Sequence, residues 1–242
     1  MTKVKKSSIL LTCLLLALLC GVLFYIDGNA SKYIIRITRL CAINIVLALS
    51  MNLVNGFTGI FSLGHAGFMA IGAYTVALLT IPVAKKETIF MLEPLVAPLN
   101  TLTLPFGAAL VIGGLLAAAL AFLIGLPCLR LRGDYLAIAT LGFSEIIRIV
   151  ITNAQSLTNG AQGLKSIPAT ANIWWCYGVA LATVVFIALL ISSSYGRAFK
   201  AIREDEIAAE SMGVSLLRHK MLSFMLSAFL AAVGGGLFAS YI

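Results

Sequence analysis

Charge is what this sequence has least of. Asp, Glu, Lys and Arg make up 11% of its 242 residues, against about a quarter in an ordinary soluble domain. Hydrophobic residues account for 61%, and mean hydropathy is +1.05. A soluble chain of this length cannot bury so much apolar surface, so the soluble globular class is excluded and an integral membrane protein remains. Acids are scarcer than bases, 9 against 17, for a net charge of +8. That balance would suit nucleic acid, but the bases lie in short clusters between apolar runs. Lipid headgroups and membrane topology account for such a distribution better, and no nucleic-acid partner is expected.

Other absences narrow the chemistry. The cysteines, Cys13, Cys20, Cys41, Cys128 and Cys176, form no CxxC, and each lies in or at the end of an apolar run. Free buried thiols are expected rather than a disulfide framework or a metal site. His65 and His219 have no ligand partner at helical spacing. No Gly-Lys dipeptide occurs, so the phosphate loop of an ATPase is missing, and the Gly160, Gly163, Lys165, Ser166 run in 152–166 reads as a polar outer connection. HExxH, paired inward aspartates and a Ser/His constellation are also missing, which argues against a membrane-embedded enzyme and leaves no catalytic residue to assign.

What is there is a series of apolar runs. Seven candidate spans fall at roughly 8–26, 33–54, 57–81, 106–127, 135–151, 174–193 and 221–241. In lipid each backbone N–H and C=O must be satisfied within its own segment, so the expected fold is all-α, a polytopic transmembrane helix bundle of about seven spans. The N-terminus has a basic start and a tolerable cleavage site at 28–30, but its apolar run, Ile9–Ile26, is longer than a signal peptide's, so a retained first helix is favoured. With the N-terminus inside and the spans alternating, Lys3, Lys5, Lys6, Arg130, Arg132, Arg197, Lys200, Arg203, Arg218 and Lys220 face the cytoplasm. Lys32, Arg36, Arg39, Lys85, Lys86, Arg148 and Lys165 lie outside or in outer span ends. This modest positive-inside bias places 194–220 in the cytoplasm.

Small residues recur at three- and four-residue spacing in three spans: Ala66, Ala70, Ala73, Ala77; Gly114, Ala118, Ala121, Gly125; and Ala228, Ala232, Gly235, Ala239. Such stripes let helix backbones approach closely where lipid and protein are equally apolar. The run NGFTGIFSLGHAGFMAIGAYT, 55–75, has glycines too dense for an ordinary helix and polar Asn55, Thr58, Ser62 and His65 in its first half. One reading is a close helix crossing in which Ser and His bond to neighbouring backbone. The other is a bent or partly unwound helix lining a pathway, with Ser62, His65, Gly67 and Gly72 as candidate pathway residues. In the fifth span Glu145 and Arg148 share a face at i,i+3 and neutralise each other; Glu145 is either one half of a structural pair or a pathway residue.

The scarce acids are also unevenly placed. Four of the nine, Glu204, Asp205, Glu206 and Glu210, fall within seven positions, with Arg197, Lys200 and Arg203 before them and Arg218 and Lys220 after. From Gly196 to Gly213 the sequence suits one short charged helix that presents Ala201, Ala208, Ala209 and Met212 on one side, with Gly213 as its stop. A solvated loop helix explains this; so does a docking helix, whose small-residue face permits close approach while rim charges set register.

The segments SLGHAGFMAIGAYT (62–75) and GRAFKAIREDEIAAESMGVSLLRHKMLSFMLSAFLAAVGGGLFA (196–239) resemble the branched-chain amino acid permeases of bacterial ABC importers, the LivM type, and LRGDYLAIATLGFSEIIRIV (131–150) extends the similarity. The cytoplasmic motif of such permeases has Glu-Ala-Ala, three residues, then Gly. Ala208-Ala209 and Gly213 keep that spacing, but Ile207 stands where the Glu would be and Glu206 is one step earlier.

The resemblance implies an import permease of the bacterial inner membrane, its N-terminus cytoplasmic. Its 194–220 segment is a coupling loop on which a separate ATPase docks through Arg203, Glu204, Asp205, Glu206, Ala208, Ala209 and Gly213. The ATPase hydrolyses ATP, so this chain needs no cofactor of its own; a periplasmic binding protein delivers substrate and a second permease subunit completes the pathway. Leucine, isoleucine or valine is the implied cargo. Such permeases usually continue with further helices, so residues 1–242 are expected to be a single permease domain incomplete at its C-terminus. An ion-coupled secondary transporter of a small solute is the alternative, although no convincing repeat relates 33–126 to 135–241.

Overall fold

Several apolar runs begin where a residue holds the backbone extended. Ser31, Pro82, Pro105 and Asn172 do so immediately before a helix, and proline's fixed φ suits that position. The computed structural model describes residues 6–90, 95, 99–131 and 133–241, except for the side chains of 6–13 and 16. Its helices are α1 (Lys6–Asn29), α2 (Lys32–Asn52), α3 (His65–Thr80), α4 (Val83–Ile89), α5 (Phe106–Cys128), α6 (Asp134–Asn153), the single turn α7 (Gln155–Thr158), α8 (Ile173–Ser192), α9 (Ser194–Glu204), α10 (Glu206–Ser211) and α11 (Leu216–Ala239). Among the described residues there is no strand. Lys3, Lys5 and Arg132, three of the bases assigned to the inner side, lie outside the described residues.

Among the described residues, five elements are long and apolar enough to cross a membrane: Lys32–Phe57, α5, α6, α8 and α11. A sixth is bent. Helix α3 turns through 120° at Ile81 and Pro82 into α4, so the span expected over 57–81 begins only at His65 and breaks at its far end. Helix α1 is 24 residues long, with its described apolar part over Ala17–Asn29, and leans on α2. The bundle is the polytopic all-α fold anticipated from the apolar runs.

Helix α11 is its axis, packed against α3, α5 and α2. In lipid, backbone proximity rather than escape from water selects neighbours, and glycine supplies it. Gly72 of α3 lies directly on the backbone of Ala232, and Gly235 of α11 on the carbonyl of Met69. Gly114 of α5 receives the ring of Phe229, and Gly125 the sulfur of Met221. The stripes read on α5 and α11 therefore sit in helix interfaces. On α3 the seam is different: Ala66 is exposed, Ala70 and Ala73 are half-buried, and Gly67, Gly72 and Ala77 are the buried small residues. Contact with a backbone requires glycine, so the pair Gly72–Ala232 sets the rotation of α3 and the alanines turn aside.

At the opposite end from α9, Lys86 of α4 is buried and donates from Nζ to the carbonyls of Leu99 and Leu102, both at 2.7 Å. One lysine thereby ties down the loop that leads into α5. Its ammonium is satisfied by two carbonyl dipoles, which is how a buried cation is tolerated.

Candidate functional site

Residues 53–64 are not a continuous helix. Helix α2 runs into one π-turn, Leu53–Phe57, and then loses regular structure until His65. Both features read from the glycine-rich run are present, since a close helix crossing and an unwound segment follow one another. Irregular backbone at membrane depth survives only if its polar groups find partners in protein or water. Here one backbone carbonyl and three side chains supply them. Ile60 N–H donates to the carbonyl of Val54 at 3.1 Å, Ser62 N–H to Oδ1 of Asn55 at 3.3 Å, Leu63 N–H to Oγ1 of Thr140 at 3.1 Å, and Gly64 N–H to Oγ of Ser62 at 3.4 Å.

Around this break runs a belt of buried hydroxyls. Ser50, Thr58, Ser62, Thr140, Ser223 and Ser227 are all buried. Thr58 Oγ1 lies 2.9 Å from Ser223 Oγ, and Ser227 donates to the carbonyl of Ser50 at 2.8 Å. His65, which had no visible partner in the sequence, sits with Nε2 2.7 Å from Ser50 Oγ. That hydroxyl also donates to the carbonyl of Leu47 at 2.8 Å, so the imidazole donates from Nε2. The sequence reading singled out Thr58, Ser62 and His65 but passed over Ser50, Thr140, Ser223 and Ser227. The i,i+4 spacing of Ser223 and Ser227 on an otherwise apolar helix was the available signal.

Of the candidate pathway residues, Ser62 lies in the unwound segment and His65 begins α3 facing Ser50 of α2, while Gly67 faces α6 and Gly72 faces α11. Gly67 lies against Ser144 of α6, with 3.1 Å from the place of a Cβ to the Ser144 Cα. Glu145 is not with them. It is exposed on the outer face of α6, bonded to Arg148 through both Nε and Nη2. An apolar groove of about 590 Å³ between α5, α8 and α11, lined by Leu110, Trp175, Phe186 and Phe229 among others, presents almost wholly hydrocarbon. It offers nothing to hold the charged ends of an amino acid. Among the described residues no three His, Cys, Asp or Glu side chains come together to hold a metal.

The charged segment lies at the same end of the bundle as the break. It is two helices rather than one. Asp205 is extended at φ −157° between α9 and α10, and its Oδ1 accepts from the N–H groups of Ile207 at 2.8 Å and Ala208 at 3.0 Å. Aspartate is a far better N-cap than helix-interior residue, which is why the chain restarts there. Restarting also resets the helical phase. Ala209 faces the bundle and is buried, whereas Ile207 is 74% and Met212 84% exposed; the apolar face expected to carry Ala209 carries Ile207 instead. Gly213 ends α10 at φ +85°, and Val214 N–H reaches back to the carbonyl of Ala209 at 3.0 Å, a left-handed C-cap.

The acids have mostly internal partners. Glu206 accepts from the buried Lys220 of α11 at 2.6 Å, and Glu204 pairs with Arg203. Helix α9 buries Gly196, Phe199 and Ile202 against the bundle, with the Phe199 ring edge-on to His219 of α11 at 6.5 Å between centroids. Arg197, Lys200, Arg203 and Glu204 remain on its exposed side.

The sequence over residues 33–242 matches a known family, described as the permease component of the branched-chain amino acid transport system. The chain belongs to that family. It is 38% identical to the high-affinity branched-chain amino acid transport system permease protein LivM of Escherichia coli K12, over 87% of this chain and 53% of that protein. The same protein of Salmonella typhimurium LT2 is 37% identical over the same shares. The probable branched-chain amino acid transport permease protein LivM of Methanocaldococcus jannaschii is 22% identical over 81% of this chain and 64% of its own. The chain spans about half the length of the first two of these permeases. No solved structure matches it. The broken helix and the charged loop lie within the matched residues.

Proposed function

We propose that this permease-family chain is the membrane-spanning subunit of an ATP-driven importer of branched-chain amino acids, leucine, isoleucine and valine. It sits in the bacterial inner membrane with its N-terminus and α9–α10 in the cytoplasm. A separate ATPase docks on α9–α10 and hydrolyses the ATP, so this chain carries no cofactor; a periplasmic binding protein delivers the substrate. The observation that carries the reading is the family match over 33–242, together with Ile207 and Met212 exposed beside a charged rim on a segment outside the apolar spans. Large apolar side chains held out on a short capped helix are the composition of an interface core, not of a bare connection. The docking face is accordingly Ile207, Ala208, Met212 and Gly213, with Glu204 at its edge. Asp205, Glu206 and Ala209 shape that face from within.

A second permease subunit covers α6. Glu145 and Arg148 are 11 and 14 residues into this helix, about 17 and 21 Å along it, well inside the hydrocarbon layer. An exposed ion pair at that depth calls for a protein or water neighbour rather than lipid.

The test is association and uptake in the full-length protein, purified with its ATPase. Ile207→Arg and Met212→Arg should each weaken co-purification of the ATPase and cut ATP-dependent leucine uptake about tenfold or more. Unchanged association and uptake in both variants would refute docking at this face. Uptake that survives ATP depletion but collapses with the proton gradient would point instead to the ion-coupled class, which the family match does not favour.

A further inference from the structure

Among the described residues, the polar bridge between the charged segment and the broken span is made by Arg203. Its Nη1 donates to the carbonyl of Gly56 at 3.2 Å, in the π-turn that closes α2. Its Nε donates to Glu204 at 3.1 Å. Beneath it lies Gly59 at φ +75°, and a Cβ there would stand 2.8 Å from Arg203 Cγ and 3.1 Å from its Cα. Glycine at 59 thus serves two needs at once, a left-handed backbone and the seating of α9 directly on the unwound chain. The end of α9 rests on the stretch where α2 gives way to unwound chain.

From these contacts we infer that Arg203 is a positioning residue that carries displacement of α9 to the unwound segment 58–64. The inference rests on the docking reading above, since a partner must move α9–α10 for anything to be carried. The two ends of the segment are built for different tasks. Helix α10 is anchored on α11 through Glu206 and the buried Lys220, a connection to the rigid axis of the bundle. Helix α9 ends on Asp205, extended and exposed, which is a natural joint. Just before that joint, Arg203 grips Gly56, and past Gly56 the chain is held by Thr58 on Ser223 of α11, by the buried Ile60, by the Leu63 N–H on Thr140 of α6 and by local bonds from Asn55 and Ser62. Without a repeating backbone ladder, the segment has fewer bonds to break per residue than the helices around it. It also leads straight into His65 and the start of α3, so a shift at Gly56 reaches the belt of buried hydroxyls within one turn.

The experiment uses the full-length permease assembled with its ATPase, with three readouts: ATPase co-purified, leucine taken up per ATP hydrolysed, and labelling of a cysteine placed at the exposed Phe61 (Phe61→Cys) with and without ATP. In Arg203→Ala the ATPase should remain bound, while uptake per ATP falls about tenfold and the ATP-dependent change in labelling disappears. Arg203→Lys keeps a cationic donor within reach of Gly56 and should restore both to within about threefold of the parent. Arg203→Gln, a milder removal of charge, guards against simple misfolding and should move both readouts in the same direction as alanine. Uptake per ATP within about twofold of the parent in Arg203→Ala would overturn the inference. So would loss of the ATPase from that variant, which would make Arg203 part of the docking face instead. Retention of the ATPase by Ile207→Arg and Met212→Arg would sink the docking reading itself, a result separable from the behaviour of Arg203.

Discussion

Lys220, buried in the second turn of α11, donates to Glu206 of α10 across 2.6 Å, and the carboxylate it meets is itself about two-fifths exposed. A lone ammonium at that position would be poorly solvated, so the acid matters more for what its loss leaves behind than for the attraction itself.

Glu206→Ala should therefore destabilise the purified protein, by about 1–2 kcal/mol after allowing for solvent screening at the exposed carboxylate. Glu206→Ala combined with Lys220→Met removes both charges and should recover most of that loss. Thermal unfolding of the single and double variants in detergent checks the pair; equal melting of the single variant and the parent would refute the role given to Glu206.

Thr140 is the acceptor for the N–H of Leu63 in the unwound segment. Thr140→Val keeps the shape and removes the oxygen, leaving a backbone donor without a partner at a cost of about 1–3 kcal/mol. Hydrogen exchange at Leu63 and its neighbours should accelerate in Thr140→Val and stay near the parent rate in Thr140→Ser, while exchange in α5 is unchanged.

Glycines of the bundle divide into those with no room and those with ample room. Gly72→Ala puts a methyl into the backbone of Ala232 and should abolish a monodisperse folded protein, as judged by size exclusion. Gly142 and Gly178, in helices α6 and α8, have nothing within 4 Å of a Cβ. Gly142→Ala and Gly178→Ala should be neutral or stabilising, by up to about 1 kcal/mol each.

Lys86 spans from α4 to two carbonyls in the loop before α5. Lys86→Met fills the same volume without donors, so it should loosen residues 99–104 and make them the first site of limited proteolysis. Cleavage no faster than in the parent would show that the loop is held without Lys86, by contacts such as the Leu104 N–H on the carbonyl of Leu79.

Much of this could be read from the chain. The apolar runs gave the helices because lipid leaves no other way to satisfy a backbone, and the small-residue stripes on α5 and α11 marked real interfaces because close approach is the only discriminating force there. The match of 33–242 to the permease family agrees with the resemblance carried by 62–75 and 196–239. What the sequence hid was rotation and phase. Ala66, Ala70 and Ala73 make as good a stripe on paper as Gly67 and Gly72, and only the backbone of Ala232 decides between them. Likewise a single helical wheel over 196–213 puts Ala209 beside Ala208 and Met212 on an outer face; the cap at Asp205 breaks that wheel and turns Ala209 inward. Partners on a neighbouring element, such as Ser50 for His65 or Lys220 for Glu206, have no signature at helical spacing.

Three successive glycines of α11 look in three directions. A Cβ on Gly234 would meet Leu47 of α2, one on Gly235 the carbonyl of Met69 in α3, and one on Gly236 the side chains of Val76 and Leu110. A shaft seated on three bearings at consecutive residues has no freedom to spin: any rotation that relieves one contact drives another into its neighbour. Whatever rearrangement accompanies a working cycle, α2, α3, α5 and α11 must travel as one block near these glycines, and the give in the structure is left to the stretch between Thr58 and Gly64 and to the bend at Asp205.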